Sequence, residues 1–158
     1  MKNKNTPSQD ISAKIQPRIY SADKQVLQDI APLKTPFSVH IDVCSYCNFK
    51  CSFCFQADTK GKKEKNFPHG MMSMDLFKET VDSLKEFPDK IKKIKIGNHG
   101  EPTMHKELPE FIEYARKSNT ADIIEVFTNG SKLNPELNRK LVDSGLQRIN
   151  ISLEGLTE

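Results

Sequence analysis

All four cysteines of the chain fall inside one short stretch, Cys44-Ser45-Tyr46-Cys47-Asn48-Phe49-Lys50-Cys51-Ser52-Phe53-Cys54. Thiolates are soft ligands suited to iron–sulfur clusters, zinc and copper(I). Four of them on one loop predict a metal centre there. Whatever precedes and follows that loop must fold so as to leave the centre room.

The intervals along the stretch are two, three and two residues. Zinc sites also pair cysteines two residues apart, but a long stretch usually separates the pairs. Here only Asn48-Phe49-Lys50 does so, leaving little chain to wrap a tetrahedral ion. A bacterial ferredoxin run spaces its cysteines by two, two and three residues before a proline; this run is followed by Phe55. A disulfide framework needs dispersed cysteines and an oxidising compartment. Zinc and several iron–sulfur types stay open on the spacing alone.

A length of 158 residues is enough for one domain with a real core. A net charge of +3 is too small to argue for nucleic acid or a membrane surface. No apolar run approaches a membrane span. The start, Met1 to Pro7, is charged with no apolar stretch behind it, so it does not read as a secretory signal. The cytoplasm, where thiols stay reduced, is the expected compartment.

Residues 1–36 read as a polar extension punctuated by Pro7, Pro17, Pro32 and Pro36, with a short helix expected from Ser21 to Ile30. The domain proper is expected over 37–158. Phe37 to Val43 alternates, with Val39, Ile41 and Val43 on one side and His40 and Asp42 on the other. After the cysteines, 56–70 is a lysine-rich loop; Lys60, Lys62, Lys63 and Lys65 read as a solvated run rather than a phosphate site. Ser73 caps a helix expected to reach Phe87, with Leu76, Phe77, Val81 and Leu84 on its packing face. Strand two is expected at Ile91–Gly97, a loop at Asn98–His105, a helix at Pro109–Ser118, and strand three at Ile123–Thr128. Asn134-Pro135 starts a helix ending near Ser144-Gly145, and strand four is Arg148–Leu153. Strands alternating with helices mean an α/β fold with a parallel sheet, whose ligands gather at the carboxyl ends of the strands. The cysteine loop, Gly100-Glu101-Pro102, Thr128-Asn129-Gly130 and Ser152 to Glu154 all lie at those ends.

Cys47-Asn48-Phe49-Lys50-Cys51-Ser52-Phe53-Cys54 resembles the signature of radical S-adenosylmethionine (radical SAM) enzymes. The resemblance implies that Cys47, Cys51 and Cys54 hold a [4Fe–4S] cluster and leave one iron open. SAM chelates that iron, and one electron passed to its sulfonium yields a 5′-deoxyadenosyl radical that takes hydrogen from a substrate. Cys44 then reads as a small buried residue at a strand end, since free Cys packs as a small hydrophobe; as a fourth ligand it would close the open iron.

The rest of the domain resembles the partial (βα) barrel of the same family, here with about four βα units. Gly97-Asn98-His99-Gly100-Glu101-Pro102 is similar to the family's Gly-Gly-Glu segment, with His99 as the departure. By that likeness the Glu101 carboxylate and the Gly100 backbone hold the methionine end of SAM, beside Pro102. Thr128 and Asn129 face the cofactor, Ser152 and Glu154 hold its ribose, and backbone beside Phe53 lies near the adenine. On strand four Asn150, Ser152 and Glu154 share a polar inner face, and Ile149, Ile151 and Leu153 an apolar face expected to pack on helices. His40, Asp42 and Lys95 fall on the same interior and are candidates for the substrate side. The resemblance implies a ferredoxin or flavodoxin as electron donor and a peptide or protein as a possible substrate. It covers about Phe37 to Glu158 and ends before the later βα units, so the chain is expected to be the N-terminal part of a longer domain. The alternatives are a non-catalytic electron-transfer module, with Cys44 as fourth ligand, or a zinc-stabilised interaction domain.

Overall fold

Four short stretches rich in Ile and Val supply the sheet, because their β-branched side chains fit a pleated surface buried on one side. In a computed structural model, which describes residues 26–54 and 69–153, they are β1 (Ser38–Ile41), β2 (Ile91–Ile96), β3 (Ala121–Thr128) and β4 (Arg148–Ile151). They pair in the order β1-β2-β3-β4, every pair parallel. Parallel neighbours need crossovers, and helices α2 (Met74–Ser83), α3 (Leu108–Ser118) and α4 (Pro135–Asp143) occur between the strands. The expected parallel α/β architecture is therefore present.

The chain divides into two compact units, one ending at Ala31 and one running from Pro32 to Glu158. Of the first, only 26–31 are described, and they include one helical turn, α1 (Leu27–Ile30). Ser21, expected to cap that helix, lies outside the described residues, as do Lys60, Lys62, Lys63 and Lys65.

Val43, Phe77, Val81, Ile94, Ile96, Leu108, Phe111, Ile112, Ile124 and Val126 are fully buried in one cluster. Each such side chain contributes about 1.5–3 kcal/mol by leaving water. Phe77 of α2 meets Phe111 of α3 with ring centroids 4.6 Å apart, and this contact joins the two helices over the sheet. Caps set the helix starts: Ser73 Oγ accepts the Leu76 N–H at 3.2 Å, and Asn134 Oδ1 accepts the Leu137 N–H at 2.9 Å. At the other end of α3, Asn119 takes the left-handed conformation (φ 57°) that closes a helix.

Several expectations need correction. Leu76 is 49% exposed, because it sits about 100° around the helix from Phe77 and so misses the stripe through Phe77, Val81 and Leu84. The helix expected to reach Phe87 tightens into a 3-10 turn at Leu84–Glu86. Strand three begins earlier, at Ala121, and strand four ends at Ile151. The loop before His105 contains a 3-10 turn at Pro102–Met104. The apolar face expected to pack on helices is exposed instead: Ile149 is 37% and Ile151 47% exposed on β4, and Leu153 just beyond it 72%. β4 pairs on one side only, among the described residues, and the helices bury the backs of the other three strands.

Candidate functional site

Three loops at the carboxyl ends of β1, β2 and β3 are tied to one another by a closed set of contacts. The first tie is steric. A Cβ on Gly100 would stand 2.2 Å from the Cys44 carbonyl oxygen, and its φ of 110° is one that side chains rarely adopt. Only glycine lets the β2 loop lie this close to the start of the cysteine loop. The next residue adds a hydrogen bond, the Glu101 N–H donating to the Tyr46 carbonyl at 2.7 Å. Pro102 then packs against Gly97, where a Cβ would lie 2.7 Å from its ring.

The Glu101 side chain carries the tie onward to β3. It is 1% exposed, so its charge must be met by donors. Oε1 accepts the Thr103 N–H (3.0 Å), the Thr103 hydroxyl and the Thr128 hydroxyl (2.6 Å); Oε2 accepts the Asn129 N–H at 2.7 Å. From there Asn129 returns to the cysteine loop. Its Nδ2 donates to the Cys47 sulfur at 3.8 Å and to Asn48 Oδ1 at 3.1 Å, while Asn48 Nδ2 donates to Ser131 Oγ at 2.8 Å. Ser131 N–H and hydroxyl both donate to Asn129 Oδ1.

The four cysteines separate into two kinds. Cys44 is 1% exposed in the core, and its thiol donates to the Tyr46 carbonyl at 3.6 Å. Burial pushes its pKa up, so it stays a thiol. Cys47, Cys51 and Cys54 are half-buried on the loop, and none of the four forms a disulfide. The Cys47 sulfur accepts the Phe49 N–H at 3.4 Å as well as the Asn129 amide. No three His, Cys, Asp or Glu side chains among the described residues converge as they would on a single ion.

The other sequence candidates fall around this knot. Thr128 is buried, Asn129 half-buried, and the Ser152 N–H donates to the Thr128 carbonyl at 2.9 Å, which places Ser152 on the same rim. Phe53 is 68% exposed at the loop tip. Glu154 lies outside the described residues. Asp42 and His99 pair on the rim. Asp42 Oδ2 meets His99 Nδ1 at 2.7 Å, and its Oδ1 accepts the Asn98 and His99 N–H groups. The departure from the family pattern at His99 is thus anchored by the carboxylate that ends β1. Sequence reasoning missed Thr103, Asn48 and Ser131. Pro102 directly after Glu101 signals a capping role that would have implicated Thr103. Asn48 and Ser131 meet across 83 positions, and no local pattern announces that.

The pattern of the Radical SAM superfamily matches residues 41–158. This chain belongs to that superfamily, whose enzymes use a [4Fe–4S] cluster and S-adenosylmethionine. Among curated relatives, a probable GTP 3′,8-cyclase of Methanococcus maripaludis is 38% identical over 120 residues, covering 75% of this chain and 37% of that protein. An Fe-coproporphyrin III synthase of Methanosarcina barkeri is 34% identical over 112 residues, covering 71% and 26% respectively. A tungsten-containing aldehyde ferredoxin oxidoreductase cofactor-modifying protein of Pyrococcus furiosus is 28% identical over 118 residues, covering 75% and 31%. The chain therefore spans about a third of the length of the relatives it matches. Among solved structures, BtrN in complex with AdoMet and 2-DOIA superposes with a TM-score of 0.60 at 24% identity, over 73% of this chain and 45% of that one, a likeness of fold. No helix among the described residues is long and apolar enough to cross a membrane.

Proposed function

We propose that this chain carries the cofactor-binding half of a radical SAM active site, with Cys47, Cys51 and Cys54 as ligands of a [4Fe–4S] cluster and the knotted rim as the SAM site. One observation carries the reading. The cysteine set divides chemically, Cys44 being a buried thiol turned into the core and the other three half-buried on a loop fastened to β2 and β3. Three thiolates leave one iron of a cube for an outside ligand. Cys47, Cys51 and Cys54 would hold such a cluster, which when bound would supply the electron for reductive cleavage of SAM.

The chain's own residues position and shield. Gly100 lets the β2 loop approach the cluster loop without a clash. Glu101 holds Thr128 and Asn129 in place through Oε1 and Oε2; with Oε1 taken by three donors, Oε2 is the acceptor left for the SAM ammonium. Asn129 donates toward the Cys47 sulfur, and Pro102 keeps the Glu101 backbone rigid. Ser152 and Glu154 take the ribose, and backbone next to Phe53 takes the adenine. An outside ferredoxin or flavodoxin delivers the electron. The expectation of a peptide substrate loses support from the relatives, which are named for GTP, for coproporphyrin III and for a cofactor. A small molecule on a cofactor-building route is the substrate class they favour.

Anaerobic reconstitution followed by SAM and dithionite tests this reading. The protein should release 5′-deoxyadenosine, and Ala at Cys47, Cys51 or Cys54 should abolish the release. Zinc instead of iron, or an intact cluster that never cleaves SAM, would refute it.

A further inference from the structure

The face of the sheet that the helices leave uncovered carries a row of ionisable side chains in register. His40 pairs with Lys95, Lys95 with Glu125, and Glu125 with Arg148, so one rung crosses all four strands. One rung nearer the rim, Phe127 pairs with Asn150. A parallel sheet that is only a scaffold is usually apolar on both faces. Charges placed across its middle cost stability unless each is matched.

The matching here is incomplete in one direction. Glu125 is 3% exposed, and its Oε2 meets Arg148 Nη1 at 3.3 Å. The half-buried Lys95 has no carboxylate within ion-pair distance among the described residues; its ammonium lies 5.8 Å from the centre of the Phe127 ring. Arg148 offers further N–H groups beyond the one given to Glu125. Asn150 Nδ2 is a buried donor with no acceptor among the described residues. His40 adds no compensating negative charge, and burial together with the neighbouring Lys95 pulls its pKa down, so it is neutral at pH 7. Among the described residues of this rung, two cations and the Asn150 amide therefore face one carboxylate, which is already engaged, while Asp42, one rung nearer the rim, is paired with His99. Strands about 4.8 Å apart and a rise of about 3.3 Å per residue put the backbones of Lys95, Arg148 and Asn150 within about 12 Å of one another.

We propose that Lys95, Arg148 and Asn150 form a subsite for an anionic, oxygen-bearing group of the substrate, a phosphoryl or carboxylate group. The inference rests on the radical SAM reading for what the substrate is, but not for whether the subsite binds. An acceptor-rich anion satisfies all three donors at once and neutralises the excess charge of the rung. It would hold one end of the substrate on the mid-sheet while the rest extends toward the cysteine rim, which lies at the carboxyl ends of the same strands.

Calorimetric titration of the full, anaerobically reconstituted chain with inorganic pyrophosphate and, separately, with succinate tests the subsite and tells the two anion sources apart. At least one anion should bind, and Lys95→Gln and Arg148→Gln should each weaken it about tenfold or more, the loss expected for a charged hydrogen bond. Lys92→Gln, on an exposed side chain paired with Asp122, should leave the affinity unchanged. Circular dichroism melts on each variant separate lost binding from lost folding, and Arg148→Lys, which keeps the charge, supplies a milder variant should Arg148→Gln unfold. Absence of binding for both anions, or equal affinities in folded Lys95 and Arg148 variants, would overturn the proposal. Release of 5′-deoxyadenosine, followed in the same samples without substrate, reports on the radical SAM reading separately. Its loss alongside intact anion binding would count against that reading and not against the subsite.

Discussion

Cys44 shows how one residue's surroundings decide its chemistry. It is the first cysteine of the run, yet it packs at 1% exposure and its backbone bridges to Met71. Its pKa is raised by burial, so folding favours the protonated thiol. Stability from this preference is complete below the unfolded thiol pKa of about 8.5. It declines as pH rises from there through the higher folded value. Cys44→Ala should therefore retain full iron and sulfide while flattening the fall in urea midpoint between pH 8 and pH 10. Iron lost from Cys44→Ala, or an unchanged alkaline slope, would contradict the assignment. The spacing alone could not make this distinction, because all four cysteines look alike until the strand before them is placed in a core. Glu101 holds a similar lesson. Its position was readable from Gly-Glu-Pro, but its engagement by Thr103, Thr128 and Asn129 depends on two loops meeting.

Among the elements, the strands and helices were legible because their signals are local. Alternation in Val39 to Val43 and Ile91 to Ile96, and the caps at Ser73 and Asn134, survive in the fold with shifts of a few residues. What failed was the orientation of exposed apolar residues. Leu76 and the Ile149, Ile151, Leu153 face fit a packing pattern, but the pattern says nothing about whether a partner stands opposite. The tie between the β2 loop and the cysteine loop is the most consequential contact at this scale. Gly100→Ala places a methyl on the Cys44 carbonyl and forces an unfavourable φ. It should cost on the order of 3 kcal/mol and reduce iron bound per chain. Chemical denaturation with parallel iron analysis checks both. A variant with wild-type stability and full iron would show that the two loops are not coupled.

Over the whole molecule, the parallel order β1-β2-β3-β4 turns separate loops into one rim. Sequence order alone predicted that convergence, since every parallel strand in such a fold ends on the same side. The charged rung below the rim was only partly legible. Parity placed His40 and Lys95 inward, but the pairing of Glu125 with Arg148 and the orphaned Asn150 amide required the register. The central claim is that three thiolates leave one coordination position of a cube open to SAM. Electron paramagnetic resonance of the reduced, reconstituted protein with and without SAM measures this most directly. The account predicts a [4Fe–4S] signal whose g-values shift when SAM is added and whose intensity persists in Cys44→Ala. A signal indifferent to SAM and dependent on all four cysteines would contradict it.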